Sequence, residues 1–270
     1  MSEVPEGGSV SLTRQEWVGD APRSCDDHVA AEAPLEIRIG GVPVAVVMRT
    51  PGHDEDLVRG FLLSERIANG HDAIVSVRHC TEVDTPEAED NVVQVRLDHP
   101  VDLAALRRNL FASSSCGVCG KASIERAMAH AGPVEQRLSV KPESLYALPA
   151  RLEAGQAGFE TTGGVHAAAL FDATLQTLAI REDVGRHNAV DKVLGAAARM
   201  NTPGAALMVS GRVSFEIVQK ALACGVELIA AVSAPTSLAV QLARESGITL
   251  AAFLRARRMC VYAGESRIQA

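Results

Sequence analysis

The chain has 270 residues, enough for one large or two modest domains; 47% of them are hydrophobic but only 3% aromatic. A core made mainly of Ala, Val, Leu and Ile fits helices packed on a sheet better than a β-sandwich. The formal net charge of -7, without a long basic stripe, speaks against a nucleic-acid binder, and no run of about 18 apolar residues offers a membrane span.

The start of the chain lacks the basic-then-apolar order of a secretory signal. The six cysteines are therefore expected as thiols in a reducing cytoplasm. Residues 1–30 are rich in Gly, Ser, Pro and acids and read as a flexible tail or a loosely held edge segment. Order then begins. Leu35-Glu36-Ile37-Arg38-Ile39 alternates apolar and polar residues, as a half-buried strand does, and Gly40-Gly41 turns the chain into a second strand over 42–48. Pro51-Gly52-His53-Asp54 can cap a helix over 55–68. Strands at 74–80 and 91–97 flank an acidic loop, and a helix is expected over 101–111. Residues 31–112 thus read as a small α+β module.

Residues 113–135 are expected to form a mobile loop and a helix. Ser113-Ser114-Ser115-Cys116-Gly117-Val118-Cys119-Gly120 is the sharpest feature of the sequence. Two thiols at this spacing can ligate a metal, cycle through a disulfide, or pass a sulfur atom. A following helix start and Lys121 favour the reactive thiolate. Structural zinc normally needs two such pairs, and here there is one. A thioredoxin-like pair opens a helix directly after a strand, and here three serines intervene. The CxxC alone leaves all three chemistries open.

Residues 136–270 read as the second domain. Helices are expected at 144–154, 188–200, 214–224 and 236–246, and strands at 164–171, 176–180, 205–209, 227–232 and 248–254. The later part is a strand–helix alternation that implies a largely parallel, buried sheet. Ser210-Gly211-Arg212, Ser233 to Thr236, and Phe253-Leu254-Arg255-Ala256-Arg257-Arg258 each follow a strand, so they should converge on one sheet edge, where open α/β folds bind ligands. Hydroxyls, amides and arginines together suit a phosphorylated or nucleotide-like ligand. His166, Asp183, His187 and Asn188 join this set from a Gly-Gly-Val-His segment and a dense polar strand-to-helix junction. No phosphate-binding loop or dinucleotide fingerprint occurs. A base deaminase would place its catalytic Glu two residues after His166, where Ala168 stands.

Taken together, Ser115 to Gly120, Thr162-Gly163-Gly164-Val165-His166, Glu182 to Lys192, Ser210 to Glu216 and Ser233 to Thr236 resemble the formate dehydrogenase accessory sulfurtransferases of the FdhD family. The likeness runs from about Pro34 to Ile268. The resemblance implies a sulfurtransferase with a cysteine persulfide intermediate. It would take sulfur from a cysteine desulfurase and pass it to bis-molybdopterin guanine dinucleotide bound for the catalytic subunit of formate dehydrogenase. It implies Cys116 as the persulfide carrier, with Cys119 beside it, and a cofactor stretch at Phe253 to Arg258. It also implies a homodimer and a C-terminal three-layer α/β/α domain similar to cytidine deaminase. With one CxxC pair and Ala168 in the deaminase Glu position, no tightly bound metal is expected, and guanine nucleotides, as fragments of the cofactor, are expected to bind at the converging sheet edge. Cys260 departs from the family pattern, which has a polar Asn there. Two rival readings remain: a molybdenum-cofactor-binding chaperone whose cysteines are incidental, and a zinc-binding deaminase relative.

Overall fold

The computed structural model describes residues 8–80, 90–103, 106, 133–135 and 137–269. Cys116 and Cys119, and most of the helices expected at 101–111 and after Lys121, lie outside the described residues.

Residues 8–30, expected as a flexible tail or a loosely held edge segment, form a regular hairpin. Strands β1 (Ser9–Val18) and β2 (Ala21–Ala30) pair antiparallel in unbroken register from Ser9–Ala30 to Val18–Ala21. Gly19, at φ 62°, makes the turn. Neither side of this ribbon is fully buried, so its polar composition resembles that of a tail. Cross-strand ion pairs, Arg14 with Asp27 at 2.9 Å and Arg23 with Glu16, decorate it.

The α+β module follows. Strands β3 (Ala33–Ile39), β4 (Val42–Arg49), β5 (Ile74–His79) and β6 (Val92–Leu97) form a four-stranded sheet in the order β4-β3-β6-β5. The alternation read at 35–39 buries Leu35, Ile37 and Ile39 on one face. Helix α1 (Asp54–Ser64) covers that face with Leu57, Val58, Phe61 and Leu62. Asp54, Glu55 and Asp56 sit in its first turn, where carboxylates complement the positive end of the helix.

The larger module is a six-stranded sheet ordered β12-β11-β10-β9-β7-β8. It comprises β7 (His166–Phe171), β8 (Thr177–Asp183), β9 (Ala206–Val209), β10 (Leu228–Ala231), β11 (Thr249–Arg255) and β12 (Arg258–Ala263). β9, β10 and β11 are parallel, as the strand–helix alternation predicts; β7, β8 and β12 run antiparallel to their neighbours. Helices α5 (Arg186–Arg199), α6 (Phe215–Ala223) and α7 (Ser237–Ser246) pack on one face. The short α2 (Pro142–Tyr146) and α3 (Leu148–Glu153) pack on the other through Leu145, Leu148 and Leu152. These are the expected three layers. The single helix expected over 144–154 is broken at Ala147, before Pro149. The sequence reading missed α4 (Ala157–Thr162) and β12.

The two modules meet where α1 crosses α5. The crossing is backbone on backbone. A Cβ on Gly60 would stand 1.8 Å from the Asp191 carbonyl oxygen, and one on Gly195 1.8 Å from that of Asp56. Buried charges ring this seam. Arg49 grips Asp54 with two 2.9 Å bonds. Asp56 takes Arg181 at 2.9 Å and Arg199 at 3.0 Å. Lys220 reaches Asp191, Ser64 and Glu65, each at 2.9 Å.

Candidate functional site

The three segments that follow the parallel strands are laced together by their backbones. Val213 N–H donates to the Ala234 carbonyl at 3.1 Å, Thr236 N–H to Val213 at 2.9 Å, and Phe253 N–H to Ser233 at 3.3 Å. Ser210 adds the neighbouring strand: its hydroxyl accepts from the Ala167 amide at 2.9 Å and its own amide donates to the Ala167 carbonyl at 3.0 Å. The structure therefore brings Ser210, Gly211, Arg212, Ser233, Thr236 and Phe253 to one edge of the sheet, with His166 at the start of β7 beside them.

Gly211 is the close-approach point. A Cβ there would stand 3.4 Å from His166 Nδ1 and 3.9 Å from Arg186 Cβ. His166 and the first turn of α5 thus share one wall. His187 Nε2 lies 3.3 Å from the Ser214 hydroxyl and 3.7 Å from Glu216 at the start of α6. Thr236 caps α7, its hydroxyl accepting from the Ala239 amide at 3.4 Å. Arg255, Ala256, Arg257 and Arg258 form the exposed turn between β11 and β12. Phe253 (φ 55°) and Ala256 (φ 47°) hold left-handed backbone there, a strained conformation that the surrounding structure must enforce.

Not every nominated residue lines this edge. Leu254 points into the core, 1% exposed. Asp183 is fully buried, and its carboxylate accepts from Thr50 N–H at 3.1 Å, Gly185 N–H at 2.8 Å and Asn188 at 2.9 Å while pairing with Lys192 at 2.8 Å. Asn188 also donates to the Met48 carbonyl at 2.7 Å. These two residues fasten the seam and hold the turn into α5; they stand behind the edge. In exchange the structure adds Arg186, Ser214 and Glu216. Arg186 Nε is buried without a hydrogen-bond acceptor. All three begin helices after sheet strands, in segments whose position already marks them in the sequence as ligand-binding junctions.

The electrostatics are uneven. Burial first, then the Arg186 guanidinium, lowers the pKa of His166. The same two causes push His187 down to about 4, with Glu216 pulling the other way. Burial raises the Glu216 carboxyl, but the Ser214 hydroxyl, a backbone amide and the nearby His187 and Arg186 outweigh it, so it ionises more readily than an ordinary glutamate. At neutral pH the edge therefore presents neutral imidazoles, an ionised carboxylate and several arginines.

A pH dependence follows from His187. Its pKa falls on folding, so below about 6.5 the unfolded chain binds the proton that the folded chain refuses. Its contribution to stability is intact above about pH 6.5 and is lost as pH falls towards 4. The expected loss is about 2–3 kcal/mol after allowance for partial exposure. Urea unfolding of the wild type and of His187→Asn at pH 7 and pH 4.5 checks this. The stability difference between the two proteins should shift in favour of the variant at the lower pH; a constant difference would show that His187 does not titrate this way.

A cavity of about 540 Å³ lies elsewhere, lined by Leu63, Leu170, Leu194, Ala197, Pro203 and Cys224 among others. Pro203 and Cys224 precede β9 and β10, so this cavity is at the opposite sheet edge. Burial pushes the Cys224 thiol up to about 12, which keeps it protonated and a poor nucleophile at neutral pH.

The FdhD/NarQ family pattern matches residues 30–269. The chain belongs to the FdhD/NarQ family. Its relatives include several named sulfur carrier protein FdhD. That of Nocardia farcinica is 47% identical, covering 90% of this chain and 88% of its own. That of Mycolicibacterium paratuberculosis is 47% identical, covering 90% and 92%. That of Streptomyces avermitilis is 46% identical, covering 99% and 97%. A solved structure, a putative formate dehydrogenase accessory protein from Desulfotalea psychrophila, superposes with a TM-score of 0.77 over 97% of this chain and 99% of its own. At 23% identity it speaks for the fold alone. The FdhD/NarQ chain carries no described helix long and apolar enough to cross a membrane. Among its described residues no three His, Cys, Asp or Glu side chains gather as metal ligands.

Proposed function

We propose that this chain is a cytoplasmic sulfur carrier for formate dehydrogenase, with Cys116 as the carrying residue. The observation behind this reading is the 47% identity, over nine-tenths of the chain, to relatives named sulfur carrier protein FdhD, in a sequence that has the Cys116-Gly117-Val118-Cys119 pair. The donor is a cysteine desulfurase bearing a persulfide. The Cys116 thiolate attacks the outer sulfur of that persulfide; the S–S bond breaks and the desulfurase cysteine leaves as a thiolate. Cys116 then holds one sulfane sulfur.

The acceptor is bis-molybdopterin guanine dinucleotide, before its insertion into the catalytic subunit of formate dehydrogenase. Handing the sulfur on as sulfide needs two electrons. Cys119 can supply them with Cys116: the Cys119 thiolate attacks Cys116 Sγ, the two become a disulfide, and hydrosulfide departs with the electron pair of the broken bond. The edge formed by Ser210 to Arg212, Ser233 to Thr236 and Phe253 to Arg258 supports the ligand side of this reading. It combines arginines, which bind phosphate in charge-assisted and often bidentate fashion, with hydroxyls and helix N-termini. Two copies of the chain are taken to form the working unit.

Incubating the full chain with a desulfurase and cysteine tests the reading. The peptide containing Cys116 should gain the mass of one sulfur atom, and a thiol reductant should remove it. Sulfur gained equally by Cys116→Ala, or gained on another cysteine, would end the assignment and leave a cofactor-holding role without sulfur chemistry.

A further inference from the structure

The residues around the sheet edge are mostly donors: Arg186, Arg212, Arg255, Arg257 and Arg258, helix N-terminal amides, and serine and threonine hydroxyls. Such a set recognises phosphate oxygens but gives no reason to prefer one ring system over another. A ring edge that donates two hydrogen bonds calls for a pair of acceptors, and an ionised carboxylate is the side chain that accepts through two oxygens and donates nothing.

The described carboxylates near this edge can be taken in turn. Asp183 is buried and committed to Thr50, Gly185, Asn188 and Lys192. Glu182 is held by the Gly158 and Phe159 amides of α4 at 2.7 and 2.8 Å. Glu143 lies 4.0 Å from Arg257 on the outer side of the turn. Glu216 differs from all three. Its side chain is 57% exposed, in the first turn of α6 immediately beyond Ser210-Gly211-Arg212, with His187 Nε2 3.7 Å away. The Ser214 hydroxyl hydrogen-bonds its carboxylate and itself lies 3.3 Å from His187 Nε2, while more than half of the Glu216 side chain stays open to solvent.

We propose that Glu216 is the specificity-determining residue of this edge, and that it reads the 2-amino-4-oxopyrimidine edge of the ligand, a ring N–H beside an exocyclic NH2, with both groups donating to its carboxylate. The inference rests on the ligand reading given above and deepens it. Guanine and pterin both present this edge. Ser214 is the positioning residue here, with His187 behind it; neither itself discriminates.

Calorimetry on the full chain, without cofactor, tests the proposal with GDP, with IDP, which lacks the 2-amino group, and with neopterin. If guanine is the ring read, the wild type binds GDP about tenfold more tightly than IDP, the loss of one hydrogen bond to a charged acceptor. Glu216→Gln, similar in shape but with an amide NH2 facing the donors, should then lose the preference by weakening GDP towards IDP. If pterin is the ring read, neopterin binds and Glu216→Gln weakens it about tenfold, while GDP and IDP remain alike. Two results overturn the role of Glu216: ligand preference and affinity unchanged in Glu216→Gln, or wild type that binds GDP without distinguishing it from IDP and does not take neopterin. A wild type that binds none of the three would instead remove the cofactor reading itself, a distinct failure. Circular dichroism of Glu216→Gln confirms that the variant is folded in each case.

Discussion

Gly195→Ala is expected to destabilise the protein by about 3 kcal/mol or more, because the added methyl must displace backbone and has no side chain to push aside. The Cβ would lie 1.8 Å from the Asp56 carbonyl oxygen, and the amide of Gly60 is 2.7 Å away. Helices α1 and α5 can relieve this only by separating, and that strips the cover from Leu57, Val58 and Phe61 on one side and Val193 and Leu194 on the other. Gly60→Ala meets the Asp191 backbone in the same way and should behave alike. For a chain of this size the melting temperature would fall by roughly 6–12 °C. Gly158→Ala is the control. Its Cβ meets only the Glu182 carboxylate, a side-chain end that can give way by loosening its bonds to the Gly158 and Phe159 amides, so the change should cost about 1–2 kcal/mol. Thermal melts followed by far-ultraviolet circular dichroism decide the matter; equal stability of Gly195→Ala and wild type would mean that the crossing is looser than the structure shows.

The second large effect concerns Lys192, 1% exposed. Its ammonium group bonds the Thr50 carbonyl at 2.8 Å and the Glu182 carbonyl at 3.3 Å, and pairs with Asp183 at 2.8 Å. Lys192→Met keeps most of the apolar stem but leaves the Asp183 carboxylate buried without its cation. The expected cost is about 3–5 kcal/mol in urea unfolding. Adding Asp183→Asn should return part of that loss, since the orphaned charge disappears, although an amide cannot accept from all three N–H donors that Asp183 serves. Single and double variants that add without coupling would show that the pair does not act as a unit.

These two cases mark where the sequence is legible and where it is not. The strand at Leu35–Ile39 could be read because its apolar residues alternate with polar ones, and that at Val42–Met48 because an unbroken apolar run follows the Gly40-Gly41 turn. The run from Ala206 to Leu254 could be read because short apolar strands alternate with helices of suitable length. The hairpin of β1 and β2 could not, since a ribbon exposed on both sides has no apolar face to show. β12 was hidden by the basic turn that precedes it. From the sequence, the polar junction Glu182 to Lys192 suits either a ligand site, with Asp183, His187 and Asn188 in it, or a cap and salt-bridge cluster, and the structure divides it between the two. Arg186 and His187 face the sheet edge, while Asp183, Asn188, Asp191 and Lys192 bind Thr50, Met48 and Ser64 across the seam. A charged side chain looks the same in sequence whether its partner is a ligand or a backbone carbonyl some 140 positions away. Only the folded chain separates the two.

The hairpin also has a spectroscopic consequence. Trp17 is the sole tryptophan of the chain; it lies near the turn of the ribbon, opposite Pro22 and 65% exposed. Its indole is already largely in water in the native state, so intrinsic tryptophan emission should start red-shifted and change little when the two sheets and the seam come apart. A fluorescence trace of this protein would report on the ribbon and whatever touches it, and would be nearly blind to the core. That makes Trp17 a poor gauge of global unfolding and a built-in probe for anything that docks on the arm.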